Sequence, residues 1–272
     1  MKKKIVTTTS VFQPGYPGEK AIDRLTALGF EALDMALDYC DEMPEFLGED
    51  YLNWADGLRK RAEAAGVCYT HAHAPGAAEN NPHIARSLEI AGALGARYIV
   101  LHPVCKDGED IIEDAQSFIR RNADAVRPWL DKAKECGVVI LSENLLWGAS
   151  KDPRVIAELV REVNSDWFGW CYDTGHANCF GYSPEILQEC SVAPLSLHMQ
   201  DNHGGFDDEH LIPGDGTVEW DALIRALKAV EYTGDCVLEA HHQSLEAPDE
   251  EREAILSRLL EAAKVLREKM ED

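Results

Sequence analysis

The sequence predicts a (β/α)8 barrel. Eight apolar, strand-like runs alternate with eight helical segments along the 272 residues. Strict alternation predicts parallel strands joined by helical crossovers, and the length suits one such barrel. The alternative, a doubly wound open sheet, would require a glycine-rich phosphate loop, which the first strand–helix turn lacks.

The strand-like runs are short, apolar and bounded by polar turns, as expected for buried parallel strands. They comprise residues 4–9, 32–37, 67–75, 96–103, 138–144, 170–173, 194–201 and 236–241.

Each strand is followed by a segment with helical signals, and a glycine closes each of the first four. Seven of these segments comprise residues 19–28, 51–65, 82–94, 109–136, 183–190, 219–231 and 249–269. The remaining segment lies between the fifth and sixth strands and begins at Asp152 and Pro153.

The net charge of -23 argues against a polyanionic partner, because nucleic-acid binding depends on Lys and Arg. We therefore expect no nucleic-acid partner.

No apolar run reaches about eighteen residues, and the start lacks an apolar signal segment, which predicts a cytoplasmic protein without membrane contact. The eight cysteines form no CxxC pair and are expected to be reduced. Since no linker is visible, we expect one domain over residues 1–272, and a homo-oligomer is left open.

Several strand-like runs end in His, Asp or Glu. The stretch from Trp170 to His176 begins as an apolar and aromatic run and ends in Asp173, Gly175 and His176. A charge at the end of a buried strand is costly unless it is paired or metal-bound. We expect Gly175 to let the chain turn sharply, so that His176 returns toward the same opening.

In a parallel barrel, these strand ends share one rim, where the active sites of this fold lie. Unpaired like charges in a partly buried bowl would repel strongly, and a divalent cation resolves that repulsion. Mixed His and carboxylate ligands suit Mn, Zn, Co or Fe better than Ca, with Mg as a further candidate. The residues expected at the strand ends are His73, His102, Glu143, Asp173, His198 and Glu239, with His176, Asp208 and His210 in loops on the same side.

A series of short motifs extends from the third strand to the eighth. They are His73–Ala74–Pro75, Leu101–His102–Pro103, Ser142–Glu143–Asn144, Tyr172–Asp173–Thr174–Gly175–His176, Leu197–His198 with Asp201, His210–Leu211–Ile212–Pro213–Gly214–Asp215–Gly216, and Leu238–Glu239. Together they resemble the xylose isomerase-like TIM barrel superfamily. That superfamily contains sugar isomerases and epimerases, inosose and dehydroshikimate dehydratases, and endonuclease IV.

The resemblance to the epimerase-like members implies one metal ion, held by Glu143, Asp173, His198 and Glu239. It also implies that His176 contacts the substrate. In endonuclease IV a fuller set of ligands binds three zinc ions, so the number of metals stays open. Every position of that set has a match here: His73, His102, Glu143, Asp173, His176, His198, Asp208, His210 and Glu239.

The resemblance implies a metal-dependent sugar or sugar phosphate isomerase or epimerase. Such an enzyme transfers a proton next to a carbonyl through an enediolate that the metal stabilises, with Glu143 and Glu239 as the predicted catalytic pair. An endonuclease IV-like zinc phosphodiesterase and an inosose or dehydroshikimate-type dehydratase are the alternatives. The acidic charge favours a small sugar or polyol over DNA, and so do strand-end loops with only scattered basic residues, such as Lys106 and Lys151.

The remaining candidates are predicted to bind substrate or a second metal. They are His73, His102, His176, Asp208, His210 and Trp147. Phe12, Tyr16 and Phe206 share with Trp147 an aromatic ring that could stack on the apolar face of a sugar.

Overall fold

Eight strands, β1 to β8, form the centre of the protein in the computed structural model, which describes residues 2–79, 81–105 and 114–272. The predicted strand for each unit is present, and most are shorter than the predicted run. The strands are β1 Ile5–Thr8, β2 Ala32–Ala36, β3 Cys68–Ala77, β4 Tyr98–His102, β5 Val139–Glu143, β6 Phe168–Asp173, β7 Ser196–His198 and β8 Cys236–Leu238.

The strands pair in parallel in the order β7-β6-β5-β4-β3-β2-β1-β8. Between β7 and β8, the sheet closes through one parallel bridge from Met199 to Leu238. The Met199 amide donates to the Val237 carbonyl at 2.8 Å, and the Glu239 amide donates to the Met199 carbonyl at 3.2 Å. The predicted (β/α)8 barrel is confirmed.

Helices follow the strands, and short helices at the strand ends add to the predicted set. No described helix is both long enough and apolar enough to cross a membrane. The helices are α1 Gly18–Leu28, α2 Pro44–Leu47, α3 Tyr51–Ala65, α4 Ile84–Leu94, α5 Ala115–Val126, α6 Leu130–Cys136, α7 Pro153–Val163, α8 Thr174–Cys179, α9 Trp220–Ala229, α10 His242–Glu246 and α11 Asp249–Glu271. In the described part of the chain, 3-10 turns lie at Thr9–Val11, Cys40–Glu42, Arg127–Trp129, Gly148–Lys151 and Pro184–Glu189.

The stretch 109–136, predicted to be helical, is helical from Ala115 to Cys136, but it is not one continuous α-helix. Residues 109–113, like Lys106, lie outside the described residues. The rest divides into α5 and α6 at the 3-10 turn Arg127–Trp129, which contains Pro128. Proline lacks an amide hydrogen, and its ring clashes with the carbonyl four residues earlier in a continuous helix. The chain therefore restarts its helix after this turn.

The inside and the outside of the barrel have separate apolar clusters. Inside, Val100, Leu141 and Cys171 pack together, and the large cluster lies between the strands and the helices. Since residues two apart on a strand share a face, Glu143 lies above Leu141 and Asp173 above Cys171. The carboxylates therefore stand at the mouth of the barrel, above an apolar interior.

Helix α11 holds the N-terminal ends of the first two strands through a buried arginine. The Arg267 guanidinium donates to both carboxylate oxygens of Glu31, at 2.8 and 2.7 Å, and Arg267 is 6% exposed. Glu31 also accepts a hydrogen bond from the Ile5 amide at 3.1 Å. This ion pair connects the C-terminal helix to the start of β1 and to the residue before β2.

Replacing Arg267 with Ala should lower the free energy of unfolding by about 1–3 kcal/mol, because it leaves a half-buried Glu31 without its partner. Urea denaturation measures the change. Arg225→Ala is the control, since its 3.8 Å ion pair with Glu185 is largely exposed and should contribute less than about 0.5 kcal/mol. Equal losses in the two variants would contradict the structural role of Arg267.

Candidate metal centre

The rim at the carboxyl ends of the strands brings nine of the predicted site residues together. Five come from the consecutive strands β3 to β7 and a sixth, Glu239, directly follows β8, because parallel strands place their carboxyl ends on one side of the barrel. The other three come from α8 and from the segment after β7. In chain order, the nine are His73, His102, Glu143, Asp173, His176, His198, Asp208, His210 and Glu239.

These residues form overlapping three-residue groups whose ligand atoms lie within 4.8 Å of one another. The three groups named next each contain one carboxylate, and two of them share His73. Three of the groups are His73–His102–Glu143, His73–His198–Glu239 and His176–Asp208–His210. The arrangement offers places for more than one cation on the same rim.

Glu143 lies at the middle of these contacts and is 1% exposed. Its Oε1 is 2.9 Å from Nδ1 of His198, and its Oε2 is 3.5 Å from Nε2 of His102 and 3.7 Å from Nε2 of His73. The same His198 Nδ1 lies 3.2 Å from Oε2 of Glu239. Two carboxylates therefore approach one ring nitrogen from two sides.

Three buried carboxylate oxygens at the centre accept no well-aligned hydrogen bond from the described residues, although one of them, Oε2 of Glu239, lies 3.2 Å from Nδ1 of His198. They are Oε2 of Glu143, Oδ2 of Asp173 and Oε2 of Glu239. A buried, unpaired carboxylate oxygen is costly, and a divalent cation satisfies it. All three belong to the ligand set predicted from the sequence, so the donor set fits a metal ion.

The rings of His176 and His210 face oxygen on both sides. Nδ1 of His176 lies 2.8 Å from the Asn144 carbonyl oxygen, and Nδ1 of His210 lies 2.9 Å from the Glu239 carbonyl oxygen. Each Nε2 lies near Oδ2 of Asp208, at 3.1 and 3.0 Å. A neutral imidazole carries only one N–H, so each ring needs a second proton or a cation between Nε2 and the carboxylate.

The electrostatics of the metal-free centre favour bound protons. Burial alone would lower the pKa of His210, but its hydrogen bond to Asp208 and the nearby Glu239 raise it to about 9. Burial raises the pKa of Asp173 to about 8, with His176 opposing the rise and Glu143 adding to it. Burial would also raise the pKa of Glu143, yet the surrounding imidazoles, led by His198, lower it well below its usual value.

His73 is oriented from outside the nine by Asp38. Oδ1 of Asp38 lies 2.8 Å from Nδ1 of His73, so Nε2 is directed toward Glu143. A carboxylate behind a histidine fixes the ring and raises its basicity as a ligand. The sequence gives no signal for this contact, because Asp38 lies in a loop beyond the end of β2.

Two buried amides that sequence reasoning missed hold the acidic side chains in place. Nδ2 of Asn144 donates to the Asp173 carbonyl at 3.0 Å, and Oδ1 of Asn144 accepts from the Asp173 amide at 2.8 Å. Nε2 of Gln200 donates to Oδ1 of Asp208 at 2.9 Å and to Oδ1 of Asp173 at 3.2 Å. Asn144 belongs to a recognised motif, and a buried polar residue beside a strand-end carboxylate is the signal that could have found it.

Asp201 organises the segment that carries Asp208 and His210. Its Oδ1 accepts from the Asn202 and Val218 amides, and its Oδ2 accepts from the Gly214 amide and from the indole of Trp220. Four donors on one buried carboxylate fix both ends of the segment. This role is structural, although the residue is part of a family motif.

The expectation for Gly175 and His176 was wrong in its local structure. His176 lies in the first turn of α8, not in a loop, and Oδ1 of Asp173 accepts from the His176 amide at 2.6 Å as the helix cap. Gly175 has no positive φ, so it does not make a special turn. A Cβ at Gly175 would lie 2.0 Å from Oε1 of Gln200, so glycine is required for close packing.

His210 adopts a left-handed backbone, with φ of 43°. This conformation costs a non-glycine residue about 1 kcal/mol or more, and it occurs often at functional sites. It lets one ring contact both Asp208 and the Glu239 carbonyl.

The predicted aromatic residues do not join the nine. The Trp147 side chain is 53% exposed and, among the described residues, makes no ring contact. Phe206 is 86% exposed and meets Phe180 edge to face. Phe12 and Tyr16 stack on each other in the segment after β1.

Residues 22–268 match the family model of the xylose isomerase-like TIM barrel. The chain belongs to this family. The resemblance seen in the motifs is therefore confirmed over most of the chain.

Relatives of this xylose isomerase-like barrel include proteins from two bacteria. An uncharacterised protein of Sinorhizobium fredii is 30% identical over 155 residues, which cover 53% of this chain and 47% of the relative. Inosose isomerase of Bacillus subtilis is 23% identical over 159 residues, which cover 54% of each chain. The chain spans about half the length of these relatives.

Solved structures share the fold of this xylose isomerase-like barrel over nearly the whole chain. D-psicose 3-epimerase, crystallised in the presence of D-fructose, superposes with a TM-score of 0.74 at 15% identity and covers 97% of this chain and 99% of its own. The IOLI protein with a zinc atom superposes with a TM-score of 0.75 at 18% identity and covers 98% of both chains.

Gly175→Ala should lower the free energy of unfolding by about 1–3 kcal/mol, because the added methyl group must displace the buried Gln200 amide. Urea denaturation measures the loss. In the control variant Gly57→Ala, the new methyl group meets open space on α3, so stability should be unchanged or slightly higher. If Gly175→Ala is as stable as the parent protein, the packing explanation fails.

Proposed function

We propose that this protein is a metal-dependent isomerase or epimerase of a sugar or polyol. The observation that carries the proposal is the pair Glu143 and Glu239, which flank one nitrogen of His198 and each keep one buried oxygen without a hydrogen bond. Two ionised carboxylates at one centre can act on a substrate from two directions. The sugar epimerase and inosose isomerase among the similar proteins support the same reaction class.

The metal ion would be held by Glu143, Asp173, His198 and Glu239. When bound, it would neutralise the negative charge that develops on the substrate oxygens during proton transfer. The zinc atom in the IOLI structure supports a transition metal, and the mixed nitrogen and oxygen donors fit Zn, Mn, Co or Fe.

In the proposed reaction, one of the two glutamates removes the proton from the carbon next to the carbonyl. The electron pair of that C–H bond moves toward the carbonyl oxygen. Both carboxylates hold lowered pKa values despite their burial, because His198 lies beside them, so either can act as the base near neutral pH. The other must first take a proton from water to act as the acid. It gives that proton to the opposite face of the same carbon for an epimerisation, and the proton held by the first glutamate returns to solvent. For an isomerisation, the proton goes to the neighbouring carbon, while the hydroxyl proton of that carbon is lost and the former carbonyl oxygen gains one.

The surrounding histidines would bind and orient the substrate. His176 and His210 both reach Asp208 on one side of the centre, and His102 lies on the other side next to Glu143. Each ring can donate to or accept from a sugar hydroxyl. His102 is 30% exposed at its side chain, which leaves part of its ring accessible from the mouth.

A zinc-dependent phosphodiesterase is the second candidate. The observation that favours it is the set of three-residue groups on one rim, which gives donors for more than one ion. Multiple metals suit hydrolysis of a phosphodiester by an activated water. A dehydratase remains a variant of the first proposal, because loss of a β-hydroxyl follows the same proton abstraction.

Metal binding should release protons, and the apparent affinity should rise with pH between about 6 and 9. The raised pKa values of His210 and Asp173 mean that protons occupy the metal-free centre, and a metal must displace them. Calorimetry with Zn or Mn in buffers of different ionisation enthalpy counts the released protons. Asp173→Ala and His198→Ala should lose binding, whereas Glu261→Gln, on the exposed face of α11, should retain it. Retention of metal in both centre variants would refute the assignment.

Incubation with ketoses and inososes in deuterated water, with Mn or Co supplied, should place deuterium at a carbon beside a carbonyl. Glu143→Gln and Glu239→Gln should each reduce exchange at least about 100-fold, as expected for loss of a catalytic acid or base. Metal content of both variants is measured in parallel, which separates loss of the base from loss of the ion.

The same samples are tested against an abasic-site DNA duplex at low salt. Strand cleavage that the two glutamine variants abolish, with no deuterium exchange in any sugar, would make hydrolysis the function and reject the isomerase. Deuterium exchange without strand cleavage would support the isomerase or epimerase proposal.

A further inference from the structure

A small apolar cavity lies beside the metal centre, in the segments that follow β1 and β2. Its volume is about 140 Å³. Aromatic and thioether side chains form much of its apolar wall, beside polar residues such as Ser10 and Gln13, and none of the lining residues belongs to the nine of the centre. The residues used below are Phe12, Tyr16, Met35, Tyr39, Met43 and Trp54.

One wall of this cavity is already formed without a ligand. The rings of Phe12 and Tyr16 stack with centroids 4.4 Å apart and an angle of 12° between their planes. The Arg24 guanidinium lies 5.4 Å from the centroid of Phe12 and donates to the Tyr16 hydroxyl at 3.4 Å. Because these contacts fix the two rings, little ordering is needed when a ligand binds.

The cavity adjoins the centre through the residues after β2. The Ala36 amide, in the cavity wall, donates to Oγ1 of Thr9 at 3.0 Å. Two residues later, Asp38 contacts Nδ1 of His73 at the centre. Since the cavity and the centre share this segment on one rim, a single substrate molecule can reach both.

The charges around the cavity disfavour an anion. Glu19 and Glu45 stand in its lining. The nearby Arg24 is paired with Asp249 at 2.7 Å and with Glu253 at 3.6 Å, so its charge is already balanced. A phosphate or carboxylate here would meet like charges and apolar walls.

The volume of the cavity suits a substituent that consists of a single ring. An apolar cavity of about 150 Å³ in a protein interior is known to hold one benzene molecule. Flat aromatic walls such as Phe12 and Tyr16 favour a flat, apolar ring that can stack on them or meet them edge to face.

We propose that the substrate is an uncharged sugar that has a carbonyl group and bears an apolar, ring-sized substituent, which fills this cavity while the carbonyl lies at the metal centre. Simple glycosides, which lack that carbonyl, serve below as binding probes of the cavity alone. The inference rests on the proposed function, which places the sugar at Glu143 and Glu239. It adds a substrate class: a sugar bearing an aromatic or similar apolar group, without a phosphate at that end.

Calorimetry on the metal-loaded protein compares phenyl β-D-glucopyranoside with methyl β-D-glucopyranoside. The phenyl compound should bind about tenfold more tightly or better, since it buries one more apolar ring. Tyr16→Ala and Tyr39→Ala should remove that preference, and Tyr39 is 44% exposed, so its variant should fold. Leu52→Ala, an exposed apolar residue of α3 outside the cavity wall, is the matched control and should keep the preference.

A 4-carboxyphenyl glucoside tests the charge argument. It should lose the extra binding affinity that the uncharged phenyl ring gives. Equal affinities for the phenyl and methyl glycosides in the parent protein, or a preference that survives both tyrosine variants, would overturn the inference. Deuterium exchange tests the reaction separately. Exchange in unsubstituted ketoses with no phenyl preference would reject the cavity proposal alone, whereas a phenyl preference without exchange in any sugar would count against the reaction alone.

Discussion

Repulsion among carboxylates at the mouth of the barrel is the constraint on which the rest of the site depends. Glu143 and Asp173 are almost fully buried, and Asp208 and Glu239 lie close beside them. Left alone, these charges would open the mouth or force the groups to take up protons. The histidines, the amide of Gln200 and the His176 backbone amide at the start of α8 are each placed against one of these carboxylate oxygens, and Asn144 holds the backbone of Asp173.

The barrel and most of the centre could be predicted because both depend on local patterns. Apolar runs ending in His or a carboxylate identify parallel strands and the rim at which they end, and Gly29 and Gly66 adopt the left-handed backbone expected of helix-closing glycines. Asp38 and Gln200 could not be found this way. Their contacts join segments far apart in sequence, and their partners depend on the register of the strands and on side-chain direction.

Sequence patterns also identified important residues without giving the full physical reason for their importance. The sequence predicts Asp173 as a metal ligand, and the structure gives it a second use: one oxygen caps α8, while the other has no hydrogen bond from the described residues. Gly175 was expected to serve the backbone, yet the constraint on it is the space that the Gln200 side chain occupies. A sequence pattern identifies such positions but does not distinguish conformational from steric causes.

The closure of the barrel has a consequence for how the chain holds together. β7 and β8 are three residues each, and a single β-bridge at Met199 joins them in the described sheet, whereas the other neighbouring strands share longer ladders. His198 lies directly before Met199 in the chain, and Glu239 lies directly after β8. An ion held by these two side chains would act as a cross-link over the weakest seam of the sheet, so chelation would loosen the whole barrel at that seam as well as remove its reactive centre.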